Sequence, residues 1–221
     1  MLTIVFDLDG TLIDTAPDLV STLNCIFTRQ GLPALPYDTA RMLIGGGARA
    51  TIEKALAKEG RSCTAAELND LFTDFIAHYA AHIADRSRPF PQLLEILDRL
   101  ADGGYRLAVC TNKLEWLSLR LLRTLNLAQH FAAICGQDTF GVQKPNPEVF
   151  RLTVQRAGGS PAKAIMVGDS KTDIDTARHA KVPVIAVDFG YSDVPVARMQ
   201  PDRIISSFAE LPAAIRALVA A

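Results

Sequence analysis

Short, continuously apolar runs recur along the chain, and between them apolar positions return with a helical period. The runs are TIVFD (Thr3–Asp7), RLAVC (Arg106–Cys110), AAIC (Ala132–Cys135), AIMVG (Ala164–Gly168) and VIAV (Val184–Val187), with a weaker RII at Arg203–Ile205. Runs of this length and character predict parallel strands covered on both faces. Between two of them, Leu93, Leu94, Ile96, Leu97 and Leu100 share one helical face, which Gly103-Gly104 terminates. Leu117, Leu121, Leu122 and Leu125 repeat the pattern, and the stripe predicts that neighbouring Trp116 packs in the core or at a hinge. Pro147 opens a further helix through Ala157. Alternating strands and helices predict an α/β fold with a Rossmann-like, doubly wound parallel sheet.

One interval breaks the alternation. From about Asp14 to Arg88 no strand pattern occurs, only helical spacings such as Leu19, Val20, Leu23, Ile26 and Phe27. A gap of that length is too large for a simple crossover. It predicts an inserted α-helical cap domain, residues 14–88, on a core of residues 1–13 and 89–221. The expected hinges are Leu12–Pro17 and Asp85–Pro91, the latter carrying Pro89 and Pro91.

Composition narrows the function classes. At 221 residues the chain suits one large domain or one domain with an insertion, and a hydrophobic share of 49% excludes disorder. Lys and Arg total 23 against 24 Asp and Glu, so there is no broad positive field for nucleic acid or an anionic membrane. No apolar segment approaches a membrane span, and the N-terminus lacks the basic start of a signal peptide. Cys25, Cys63, Cys110 and Cys135 show no CxxC spacing. A cytoplasmic location, a small-molecule partner and a monomer or homodimer are expected.

Polar residues stand at the ends of successive strand candidates. Asp7 and Asp9 follow the first and Thr111-Asn112-Lys113 the second; Lys144 lies beyond the third, and Gly168-Asp169 ends the fourth, with Asp173 a turn later. Ligands of open α/β sheets bind outside the carboxyl ends of the strands, so these stations should converge. Two carboxylates side by side need a cation between them or a proton on one. A phosphoryl group fits the set, because its transfer needs a nucleophile, a metal and donors for the equatorial oxygens. Asp7 is the expected nucleophile, through an aspartyl-phosphate. Asp7 and Asp169, with the Asp9 backbone carbonyl, would hold Mg²⁺, and Thr111, Asn112 and Lys144 would bind phosphate. The Asp9 side chain is left to protonate the leaving oxygen and later activate water. Asp173 either orients Lys144 or the metal ligands, or faces solvent.

At these stations the sequence resembles the haloacid dehalogenase-like hydrolase superfamily. DLDGT at Asp7–Thr11 is similar to its first motif, Thr111 to its second, Lys144 to its third and GDSKTD at Gly168–Asp173 to its fourth. More narrowly, LIDTAPDL, CTNK, QKPNPEVF, VGDSKTDI and FGYS resemble the phosphoglycolate phosphatase branch with a helical cap. The resemblance implies a phosphomonoester hydrolase for a small organophosphate, with 2-phosphoglycolate leading. Sugar phosphates, pyrophosphate, nucleotides, a phosphomutase activity and a non-catalytic binding role are the alternatives. A dehalogenase is disfavoured, because only phosphoryl chemistry requires the second acid, Asp9.

Within the expected cap, Gly45-Gly46-Gly47 is either a plain helix–helix turn or a loop that lets backbone approach substrate, with Arg49 available for a second anionic group. No GK[ST] follows, so it is not a P-loop. His78 and His82, four residues apart, have no third ligand in view and are expected to be a surface pair.

Overall fold

A computed structural model describes residues Met1–Ala220. The expected strands form as β1 (Thr3–Phe6), β4 (Arg106–Cys110), β5 (Ala133–Cys135), β6 (Ala164–Gly168), β7 (Val184–Val187) and β8 (Arg203–Ile205). They make one parallel sheet in the order β5-β4-β1-β6-β7-β8. The chain winds outward from β1 through β4 to β5, then returns to β6 on the other side of β1. The switch point therefore lies at the carboxyl ends of β4, β1 and β6, where a crevice opens.

Side chains alternate across a pleated strand, so each strand supplies both layers. Ile4, Phe6, Leu107, Val109, Ile165 and Val167 join one apolar cluster, with α5 (Leu93–Asp102), α6 (Glu115–Thr124) and α9 (Leu211–Val219). Val5, Ala108, Cys110, Ala164 and Met166 join the other, with α7 (Pro147–Arg156) and α8 (Lys171–Ala180). Cys110 and Cys135 are buried neighbours across β4 and β5, and all four cysteines are free. Trp116 corrects the expectation: it is 46% exposed, because the buried face of α6 runs through Leu117, Leu121 and Leu122.

Between β1 and β4 lie α1 (Ala16–Arg29), α2 (Tyr37–Arg41), α3 (Ala48–Lys58) and α4 (Ala65–Ala81). Pro17 and Asp18 in the first turn of α1 and Arg29 in its last suit the ends of a helix dipole. Thr64 and Glu67 close a capping box on α4. Leu23, Ile26, Phe27, Leu71 and Phe75 pack these helices together, each burial contributing about 1.5–3 kcal/mol. The same apolar cluster continues onto the sheet, which holds α1–α4 over the crevice.

Two short strands were not anticipated. β2 (Ile13–Asp14) pairs antiparallel with β3 (Arg88–Pro89) where the chain leaves the sheet and where it comes back. Two residues carry no periodicity, and Pro89 argues against a strand, so the sequence held no signal for them. Asp18 fastens the return: its carboxylate accepts from the backbone N–H groups of Arg86 and Ser87 and from the Ser87 hydroxyl.

Candidate active site

Register places the chemistry. Phe6 pairs with Val109 on one side and Val167 on the other, so the residues that follow emerge together. Asp7, Thr111 and Asp169 thus line one cavity of about 70 Å³, together with Asp9 and Lys144. Gly10 makes the turn possible. Its φ is +83°, and a Cβ there would lie 2.5 Å from the Asp169 carboxylate.

Lys144 Nζ lies 2.6 Å from Asp173 Oδ1 and 2.9 Å from Asp7 Oδ1. Burial alone would depress its pKa, but the carboxylates of Asp173 and Asp7 outweigh burial and raise it, so it stays charged. Asp173 is fully buried rather than solvent-facing. Its other oxygen accepts from the Ser170 backbone N–H and hydroxyl, capping α8. Asn112, expected at the phosphate, lines the cavity and spends its side chain on the Lys144 backbone, donating to the carbonyl and accepting from the N–H, each at 3.0 Å.

Carboxylate oxygens of Asp7, Asp169 and Asp173 lie within 4.8 Å of one another. Burial pushes Asp7 up to about 6, with Lys144 opposing and Asp173 and Asp9 adding to the rise. Burial likewise pushes Asp169 up to about 8, reinforced by Asp173 and Asp7 and opposed by hydrogen bonds from the Tyr191 backbone and the Thr11 hydroxyl. Asp7 Oδ1 is buried, and beyond its ion pair with Lys144 at 2.9 Å it has no hydrogen-bond partner among the described residues. The crowding and the oxygen-only donor set fit a hard cation. Asp173 holds Lys144 with one oxygen and Ser170 with the other and does not line the cavity, whereas Asp7 and Asp169 do.

Asp9 stands outside that cluster. Both its oxygens accept from Lys113 Nζ at 2.9 Å, and the Thr15 hydroxyl donates to one of them at 2.7 Å. Lys113 stands among the expected polar stations without an assigned role, because nothing local says which acid a flexible ammonium will reach. Its pKa is raised: burial opposes, and Asp9 and Tyr79 outweigh it.

Tyr191 was missed. Its backbone N–H donates to Asp169 at 2.7 Å, its hydroxyl donates to Asp14, and that hydroxyl accepts from the Ala16 N–H. Arg41 of α2 stacks on the ring and donates to the carbonyl of Gly190. One loop after β7 thus ties Asp169 to β2, α1 and α2.

The glycine loop reaches the cavity. Gly45, Gly46 and Gly47 all have positive φ and line it, and a Cβ on Gly47 would lie 2.8 Å from the Asn112 carbonyl. Arg49 does not follow them. Its guanidinium donates to Asn69 at 2.6 Å and stacks on Phe72, both on α4, and so is directed to that helix. His78 bonds Thr22 and His82 bonds Asp85, as suits a pair on the outer helices.

A crevice at the switch point of a parallel sheet, lined by Asp7, Asp9, Asp169 and a buried lysine, suits a hydrolytic enzyme with a Rossmann-like core. The chain belongs to the haloacid dehalogenase-like hydrolase family, which it matches over residues 4–187. It is 49% identical over 205 residues to a phosphoglycolate phosphatase of Mesorhizobium japonicum, covering 93% of this chain and 90% of that one. It is 46% identical to another of Agrobacterium fabrum, covering 96% and 91%. In three dimensions it is similar to a crystal structure of a predicted phosphoglycolate phosphatase from Haemophilus somnus, with a TM-score of 0.88 and 29% identity over 96% of this chain and 97% of that one. No helix among the described residues is long and apolar enough to cross a membrane.

Proposed function

We propose that the protein is a Mg²⁺-dependent phosphatase that hydrolyses 2-phosphoglycolate through a phosphorylated Asp7. The observation that carries the reading is the ion pair of Asp7 with Lys144 beside the buried Asp169. Residues 1–13 and 89–221 act as the catalytic core and residues 14–88 as the cap. Its relatives support the substrate, and so does a cavity of only about 70 Å³.

The residues divide the work. Asp7 attacks phosphorus, and the bond to the ester oxygen breaks. That oxygen takes its proton from Asp9, releasing glycolate. Lys144 and the Thr111 hydroxyl hold equatorial oxygens, while Asn112 and Asp173 keep Lys144 in place. Water then attacks the phosphorylated Asp7, giving its proton to Asp9, and phosphate leaves. Asp7 and Asp169, with the Asp9 carbonyl, would hold Mg²⁺, which offsets the negative charge of the phosphoryl group and the acids around it. The cap keeps bulk water from the site.

Phosphate release from a panel of phosphorylated metabolites, with Mg²⁺ and with EDTA, tests the reading. The highest kcat/KM should fall on 2-phosphoglycolate and vanish in EDTA. A sugar phosphate or nucleotide turned over faster would overturn the substrate, and activity undiminished by EDTA would overturn the cation.

A further inference from the structure

We propose that Lys113 and Tyr79 together form the seat for the negatively charged, non-phosphoryl end of the substrate, and so select a carboxylate-bearing organophosphate. The inference rests on the phosphatase reading above and names the residues that set its specificity.

With Arg49 turned onto α4, Lys144 and Lys113 are the only cations among the described residues that line the cavity. Lys144 is held between Asp7 and Asp173 at the phosphoryl end. Lys113 is the other, and its position suits the substrate's covalent structure. In 2-phosphoglycolate a single methylene separates the ester oxygen from the carboxylate. A cation that recognises that carboxylate must therefore sit beside the acid that serves the ester oxygen. Lys113 Nζ is 2.9 Å from both oxygens of Asp9. An ammonium has three donors, and one remains after those two bonds.

Tyr79 supplies an independent observation. It lines the same cavity from α4, and Lys113 Nζ lies 4.4 Å from the centre of its ring. Its hydroxyl is buried beside the Lys113 ammonium and makes no aligned hydrogen bond among the described residues. Buried hydroxyls without partners are uncommon, and each needs an explanation. An oxyanion on Lys113 provides one. Burial pushes the phenol up to about 12, so it remains a neutral donor. The rest of the cap wall is largely apolar, through Ile44, Phe75 and Ile76, and strengthens such a contact by excluding water. The wall also includes the start of α3, whose first N–H groups have no side-chain cap. Lys113 follows β4 and Tyr79 belongs to α4, so the seat is complete only when the cap lies on the core.

The experiment compares kcat/KM for 2-phosphoglycolate with that for 2-hydroxyethyl phosphate, which replaces the carboxylate by a neutral hydroxymethyl group. Wild type should prefer 2-phosphoglycolate. Tyr79→Phe keeps the ring and removes a buried hydroxyl that makes no aligned hydrogen bond among the described residues, so its urea midpoint should equal or exceed that of wild type. Its preference should fall about tenfold or more, the loss of a hydrogen bond to a charged group. Lys113→Met should lower the preference further, and Lys113→Arg should restore part of it. A wild-type preference retained in Tyr79→Phe, or equal losses on both substrates, overturns the seat alone. A wild type indifferent to the two substrates overturns the substrate reading and the seat with it.

Discussion

Replacing Asp169 by Asn should make the metal-free protein more stable at pH 8, although it removes a residue of the site. The carboxyl of Asp169 is pushed from 3.8 to about 8 by burial and by the charges of Asp173 and Asp7. Its folded pKa is above its unfolded one, so the folded state keeps a proton that the unfolded chain releases. The stability linked to that proton is complete below about pH 4 and is lost as pH rises towards 8. A shift of that size corresponds to on the order of 5 kcal/mol, at 1.36 kcal/mol per unit. At 2–4 °C per kcal/mol for a chain of this length, that is roughly 10 °C or more in Tm. Asn avoids the charge and keeps the shape. Its oxygen can still accept from the Tyr191 N–H, and the Thr11 hydroxyl can turn to accept from its amide. Melting in EDTA between pH 5 and 8 should show Asp169→Asn above wild type at pH 8, with the gap closing towards pH 5. Mg²⁺ at a hundredfold excess over its Kd should raise wild type by about 2.7 kcal/mol and the variant far less. Equal Tm values in EDTA at pH 8, or a gap that does not change with pH, would refute the crowding of charge on which the cation site depends.

Asp7→Asn should lower turnover by several orders of magnitude with the fold intact, measured by phosphate release and circular dichroism. Asp9→Asn should spare the phosphorylation step for p-nitrophenyl phosphate, whose leaving group needs no proton, while slowing breakdown of the phosphorylated enzyme; burst kinetics separate the two. Arg49→Ala should leave kcat/KM for 2-phosphoglycolate within a few-fold of wild type and cost about 0.5–1 kcal/mol in urea denaturation, since the guanidinium bridges α3 to α4. Tyr191→Phe should destabilise by about 2–4 kcal/mol, because it strands the Ala16 N–H and removes a bond to Asp14. The Mg²⁺-dependent rise in Tm should survive that change, because the contact with Asp169 comes from the Tyr191 backbone.

The strands, their parallel arrangement and the line of polar stations were legible in the sequence. Each rests on a local pattern: an apolar run long enough for a covered strand, then the residue that must leave its end. Once Ile4–Phe6 is a central strand, Asp7 has nowhere else to go, and the same holds for Thr111 after β4 and Asp169 after β6. What the polar side chains do there was decided by the tertiary structure. Asn112 serves Lys144, thirty-two residues away, and Lys113 reaches Asp9 across a separation of 104. Arg49 turns to its neighbour helix, and Tyr191 joins Asp169 to α1. The β2–β3 ribbon exists only because two segments more than seventy residues apart are brought together by the packing of α1–α4 on the sheet. Backbone pattern obeys the short-range rules of pleat and helix turn. A long polar side chain goes to whichever charge or donor the fold leaves within reach, and that partner is set by distances in space that no local spacing records.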